Sequence, residues 1–302
     1  MIDTFEDAWR LYRAAEIRLP RPPAPQTLPA LRRVAGLRTL LSEGRYDAVI
    51  LDAWGVLNLG DAPIPAARDA FAALRASGLA VRVLSNDAGS DPPESSARHT
   101  RRGFDVKPEE IVFGLDLMEP TLAVLGIAAE DCVLVAPRPA PRDPLTSRML
   151  DLDAPGALEA AAIVLLSTVG YTAATDERLR VLLRHRLRPM LVCNPDIVSP
   201  EPVGIALEPG LFAHRLADDL GVEPIFLGKP FPGVYDAVMA TLPGIRRSRV
   251  LCVGDTLHTD VLGGAAAGMA TLLVESGFFR GEDVVARCAE AVITPTYWAS
   301  HL

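Results

Sequence analysis

Five polar side chains stand just beyond short apolar runs, and their types could together carry phosphoryl chemistry. Asp52 follows Ala48-Val49-Ile50-Leu51, Ser85 follows the run Leu79 to Leu84, and Lys229 follows Pro224 to Leu227. Asp255 and Asp260 follow Arg249 to Val253. Runs this short and apolar read as buried strands. Open α/β sheets bind ligands beyond the carboxyl ends of their strands. If these strands share one sheet edge, as right-handed crossovers require, the five side chains converge in one crevice. Clustered carboxylates repel each other, and a bound divalent cation relieves that repulsion. Oxygen donors without a Cys or His cluster favour Mg²⁺ over zinc. A lysine and a serine beside the metal can hold phosphoryl oxygens. A carboxylate nucleophile would form an aspartyl-phosphate and split the transfer into two easier steps.

Each residue also has a plainer role. A strand-ending Asp can cap the next turn, and Lys229 can be a surface lysine. His258 can be a solvated loop histidine, and Asp87 a turn residue. Arg138 and Arg142 can solvate a loop or read a second anionic group on a ligand.

A strand–helix alternation is what must position these groups. Helices are expected from about Pro65 to Ser77, Pro93 to Arg102 and Asp116 to Leu125, with Gly78 and Gly103 closing the first two. The alternation predicts an α/β fold with a doubly wound parallel sheet. A second α/β pattern begins near Ile127, with strands around Cys132, Ala162 and Met190, and is expected to be an inserted domain. The first domain is expected to resume at 201 and to take in the strand at Pro224 to Leu227 and a short last strand at 291–293. Residues 1–45 predict an N-terminal helix, a linker stiffened by Pro20, Pro22, Pro23 and Pro25, and a second helix from about Thr27 to Ser42. The expected units are therefore 1–45, 46–126, 127–200 and 201–302. The N-terminal helix either packs on its own core or serves a homodimer contact.

Composition bounds the reading. The 302 residues are 49% hydrophobic and 23% charged, as in soluble globular proteins. A net charge of -8 argues against a nucleic-acid surface and shows no basic membrane patch. Cys132, Cys193, Cys252 and Cys288 form no Cys-x-x-Cys pair, which argues against a zinc site or disulfide framework. The acidic start, Met1 to Asp7, is not a signal peptide. No apolar run is long enough to span a bilayer, so a cytoplasmic setting is expected. No Gly-x-Gly-x-x-Gly follows the first strand, against a dinucleotide-binding oxidoreductase.

The chain resembles the haloacid dehalogenase (HAD) superfamily, in the class with a large α/β cap that includes sugar-phosphate and p-nitrophenyl-phosphate phosphatases. The resemblance runs from Tyr46 to Val292. Asp52-x-Trp54-Gly55-Val56 is similar to the first motif, which implies that Asp52 is nucleophile and metal ligand and that the Trp54 backbone carbonyl also binds metal. Ser85 with Asn86 resembles the second motif, which implies phosphate binding. Gly228-Lys229-Pro230 resembles the third, in which the lysine neutralises nucleophile and phosphate. Gly254-Asp255-Thr256-Leu257-His258-Thr259-Asp260 resembles the fourth, whose acids hold Mg²⁺. Cys193-Asn194-Pro195-Asp196 and Glu208-Pro209-Gly210 resemble the stretches where the cap returns to the core. The resemblance implies a Rossmann-like HAD core with an inserted cap and a Mg²⁺-dependent phosphohydrolase of a small phosphorylated metabolite. Asp87, Asn194 and His258 are the further candidates for substrate contact.

One position departs from the pattern. Phosphatases of this family carry a second Asp two residues after the nucleophile, as general acid and base, and here Trp54 stands there. The loss predicts that acyl and aryl phosphates are cleaved faster than sugar or alkyl phosphates, unless Asp87 or a cap residue supplies the proton. It also motivates the alternative of a catalytically weakened, phospholigand-binding or regulatory protein.

Overall fold

The computed structural model describes residues 2–21, 31–201 and 203–302. Pro22, Pro23 and Pro25 and the expected helix start at Thr27 lie outside the described residues.

A seven-stranded sheet is built in the order Arg32–Arg33, Tyr297–Ala299, Ala270–Val274, Val250–Gly254, Ala48–Leu51, Ala80–Ser85, Ile111–Phe113. Every pairing in it is parallel. The central strands Ala48–Leu51 and Val250–Gly254 are buried throughout. Parallel sheets are covered on both faces, so their strands read as unbroken apolar runs. A second parallel sheet has the order Pro224–Phe226, Met190–Val192, Ala162–Leu165, Cys132–Val135, Leu150–Asp151.

The strand Pro224–Phe226 was expected in the first sheet and lies at the edge of the second, paired to Met190–Val192. The helix before it, Pro209–Leu220, also packs there, through Ala213, Leu216 and Ala217. The stretch 209–226 therefore belongs with the second sheet by contact. The physical reason is the covering helix, whose apolar stripe matches the outer face of that sheet. The two sheets are not separated by solvent. One apolar cluster joins Val49, Leu51 and Val83 of the first to Leu134, Val164 and Leu191 of the second.

Other elements differ from expectation at their ends. Ala291 closes the helix Val284–Ala291, whose start is capped by the Asp283 carboxylate, and the last strand falls later, at Tyr297–Ala299. The expected second helix is reduced to Leu37–Leu41, after an edge strand at Arg32–Arg33. Among the described residues no helix is long and apolar enough to cross a membrane.

The N-terminal helix, Phe5–Ala15, packs on its own chain. Thr4 caps it by accepting from the Asp7 N–H at 3.1 Å. Its buried residues Ala8, Trp9, Tyr12 and Ala15 follow helical spacing and join Leu257, Val261, Phe278 and Phe279 in one cluster.

Candidate active site

Strand ends deliver most of the site. Asp52 follows the strand Ala48–Leu51, Ser85 ends Ala80–Ser85, and Asp255 follows Val250–Gly254. A widened helical turn, Leu257–Val261, returns Asp260 to the same place. One oxygen from each of Asp52, Asp255 and Asp260 lies within 4.8 Å of the others. Backbone closeness makes this cluster sterically possible. Gly55 has φ +77°, and a Cβ there would collide with the Asp255 carboxylate. A Cβ on Gly254 would likewise strike Asp260.

Lys229 arrives from the edge of the second sheet. Its Nζ donates to Asp52 Oδ1 at 2.6 Å and to Asp260 Oδ1 at 2.8 Å, with the lysine side chain 5% exposed. Asp255 and the second oxygen of Asp260 are also held. Asp255 accepts from the Thr256 hydroxyl at 3.0 Å and from the Phe278 N–H at 2.7 Å. Asp260 Oδ2 accepts from the Thr256 N–H and the Thr259 hydroxyl.

Two of the three buried carboxylates, Asp52 and Asp260, thus share one ammonium. Burial pushes Asp52 up to about 7, with Lys229 opposing the rise and Asp260 adding to it. Burial, then the charges of Asp52 and Asp260, push Asp255 up to about 8. Burial alone would pull the Lys229 ammonium down, but Asp260, Asp52 and Asp196 outweigh it, and the net shift is upward. The ammonium stays charged and the acids carry the excess negative charge. That excess, on oxygen donors only, fits a hard divalent cation.

The second and third motifs are locked together by Asn86. Its side-chain nitrogen donates to the Lys229 carbonyl at 3.0 Å and to Asp196 Oδ1 at 2.8 Å. Its side-chain oxygen accepts from the Lys229 N–H at 2.8 Å. The Asn86 side chain is therefore a strut between loops, which leaves only its backbone to meet a phosphate. Ser85 accepts from the Asp87 N–H at 3.1 Å, so its own hydroxyl proton is free to donate.

Three of the substrate candidates make contacts within the chain. His258 is 0% exposed, stacks on Tyr12 and meets Glu16 at 2.8 Å, beneath the N-terminal helix. Asp87 accepts from the Gly89 N–H and the Ser90 hydroxyl and pairs with Arg98, so its carboxylate is already occupied. Asn194 donates to Glu208 at 3.0 Å and accepts from the Asp196 N–H. Arg142 pairs with Asp91 and Asp116, and Arg138 with Asp151, so each guanidinium already has carboxylate partners within the chain. Asp196 is the residue that sequence reasoning quoted but gave no role. Its signal was present, as a carboxylate in a motif beside the returning strand.

The Trp54 indole is engaged by the chain that follows the second sheet's strand Met190–Val192. Its Nε1 donates to the Pro200 carbonyl at 2.6 Å and ties the first motif to the hairpin Val198–Pro200/Ile205–Leu207. Trp54→Phe removes that donor and should cost about 0.5–1.5 kcal/mol. Denaturant melts of the two proteins measure it, and equal midpoints would show that the bond contributes nothing.

Two family models match the chain. Residues 49–147 match the haloacid dehalogenase-like hydrolases and residues 226–302 the HAD-hydrolase-like proteins. The first match holds Asp52 and Ser85, the second Lys229, Asp255 and Asp260. This chain belongs to the haloacid dehalogenase superfamily. The stretch between the two HAD matches holds most of the second sheet. A dihydroxyacetone phosphatase of Corynebacterium glutamicum is 27% identical over 244 residues, 78% of this chain and 83% of that protein. An acid sugar phosphatase of Staphylococcus aureus is 25% identical over 84% of this chain and 94% of that protein. The crystal structure of a "possible sugar phosphatase, HAD superfamily" from Cytophaga hutchinsonii superposes with TM-score 0.79 and 26% identity, over 90% of this chain and 98% of that one.

Proposed function

We propose that this HAD hydrolase is a Mg²⁺-dependent phosphatase of small phosphorylated metabolites that works through an aspartyl-phosphate on Asp52. The observation that carries the reading is the Lys229 ammonium bridging Asp52 and Asp260 inside a cluster of three carboxylates. Asp52, Asp255, Asp260 and the Trp54 carbonyl would hold Mg²⁺. When bound, the ion supplies positive charge that draws the phosphate to the nucleophile and offsets charge in the transition state. Lys229 fixes the Asp52 carboxylate and neutralises it against an approaching dianion. Ser85 offers its hydroxyl to a phosphoryl oxygen. The insertion expected at 127–200, together with the helix Pro209–Leu220 and the strand Pro224–Phe226 that pack on its sheet, would form the cap and contribute specificity from its loops. The named relatives are a dihydroxyacetone phosphatase and an acid sugar phosphatase, and a monophosphorylated sugar or triose is the substrate class supported. The test is phosphate release from a panel of phosphate monoesters with Mg²⁺, beside Asp52→Asn. Tight Mg²⁺-dependent binding without release would favour the phospholigand-binding alternative motivated by Trp54.

The acid cluster sets a pH dependence. Asp52 and Asp255 have folded values near 7 and 8, above the ordinary value of 3.8. Between about pH 4 and 8 the metal-free folded state therefore binds more protons than the unfolded chain. Stability contributed by the site falls as pH rises through that window. A dication must displace those protons, so its stabilising effect grows in the opposite direction. The expected result is a larger Mg²⁺-induced rise in melting temperature at pH 8 than at pH 5, each measured against chelator. An equal rise at both would show that these acids do not bind the ion.

A further inference from the structure

We propose that Asp196 is the general acid and base of this enzyme, standing in for the carboxyl that Trp54 lacks. The assignment rests on the phosphatase reading above and deepens it.

The geometry places Asp196 one side chain away from the Lys229 backbone, across Asn86. Its loop packs on the third motif, since a Cβ on Gly228 would collide with the Pro195 ring and with the Asn86 side chain. Asp196 Oδ1 accepts from Asn86, the same amide that holds Lys229 by its backbone N–H and carbonyl. Asp196 Oδ2 has no hydrogen-bond partner among the described residues, and the side chain is partly exposed. One oxygen is thus anchored and the other is open to a ligand.

The loop that carries it is held from every side. The Asn194 carbonyl oxygen of the side chain accepts from the Asp196 N–H at 2.9 Å. The Glu208 N–H donates to the Ile197 carbonyl at 3.0 Å, and the Tyr12 hydroxyl to the Val198 carbonyl at 3.3 Å. Trp54 donates to the Pro200 carbonyl at 2.6 Å. The residue that replaces the usual acid therefore anchors the segment that brings another one. Fixing a catalytic group before the substrate arrives removes part of the cost of orienting it.

The surroundings suit a proton donor near neutral pH. Burial pushes Asp196 up to about 7, opposed by Lys229 and by the Asn86 hydrogen bond and assisted by Glu208 and Asp260. Asp52 and Tyr12 also face it. A carboxyl of this kind is protonated in a useful fraction at operating pH, which is what acid catalysis requires.

The steps balance. As the ester P–O bond breaks, its electron pair goes to the leaving oxygen, which takes the proton from Asp196, while Asp52 forms its bond to phosphorus. Water then attacks the phosphoryl group and gives a proton to the Asp196 carboxylate. The Asp52–phosphorus bond breaks, phosphate leaves, and both carboxyl groups return to their starting states.

The test compares p-nitrophenyl phosphate, whose leaving group needs little protonation, with glycerol 3-phosphate, whose leaving group needs it. Asp196→Asn keeps an oxygen to accept from Asn86 but cannot donate an acidic proton. On glycerol 3-phosphate, kcat/KM should fall about 10²–10⁴-fold. On p-nitrophenyl phosphate the variant should release a burst of nitrophenolate equal to the enzyme present and then slow, because the phosphoenzyme waits for a base. The burst itself certifies a folded, reactive site. The wild type gives a second readout that needs no variant. The ratio of kcat/KM for glycerol 3-phosphate to that for p-nitrophenyl phosphate, in which shared titrations cancel, should fall as pH rises past about 7. Equal losses on both substrates without a burst, or a ratio flat in pH, overturn the assignment while leaving the phosphatase reading standing. A wild type that releases phosphate from neither ester overturns both.

Discussion

Asp52→Asn is expected to abolish turnover, with a fall on the order of 10⁴-fold or more, the scale seen when a covalent nucleophile is removed. The substitution is nearly isosteric, and Lys229 keeps its 2.8 Å bond to Asp260. The fold should therefore persist, and the variant should melt at or above the wild-type temperature in chelator at pH 8, where one carboxylate fewer repels its neighbours. Phosphate release under Mg²⁺ measures the first effect and thermal melts the second. Mass spectrometry of acid-quenched wild type should find one phosphoryl group on the peptide holding Asp52 and none in the variant. A variant that turns over like the wild type would end the covalent mechanism.

Lys229→Met should produce the largest loss of stability. The ammonium is buried and balances Asp52 and Asp260 directly. Removing one partner of a buried ion pair strands the other, at a cost of about 3–5 kcal/mol. The acids can escape part of that cost by taking up protons. With the lysine gone the folded value of Asp52, which Lys229 holds down, rises further above the unfolded one, so the folded state binds still more protons between about pH 4 and 8. The deficit should therefore be widest at pH 8 and shrink toward pH 5. Mg²⁺ should recover part of it at pH 8. Urea melts of both proteins at the two pH values, with and without Mg²⁺, decide the matter. A midpoint unchanged at pH 8 in chelator would mean that the lysine does not offset buried charge. Phosphatase activity should be lost at either pH, because nothing else in the cluster is cationic.

The two variants probe opposite signs of one charge balance. Removing an acid relaxes the site, and removing the base strains it. If both lowered stability equally, the carboxylates would be acting as packing groups rather than as charges.

Much of the site was legible because the signals are local. Asp52 announces itself by ending an apolar run that can only be a covered strand, and Asp255 does the same one strand away. The donor set is a matter of composition over a few residues, so a hard cation could be named from it. The parallel architecture follows from the alternation of runs and helices. The class of chemistry came from motifs that each occupy a few adjacent positions.

What stayed hidden depends on contacts between distant segments. A buried parallel strand has the same apolar signature in either sheet, so nothing in Pro224–Phe226 itself says that it joins Met190–Val192. His258 sits within the fourth motif, yet an N-terminal segment covers it and supplies its partner Glu16 from 242 positions away. Arg142 carries a charge that suits an anionic substrate until Asp91 and Asp116 claim it. Asp196 lies 110 positions from Asn86, its bonding partner. The sequence by itself determined which side chains could react, because reactivity belongs to residue type and to its place at a strand end. Only the tertiary structure decided which were free to react, because burial and pairing depend on what the rest of the chain brings alongside.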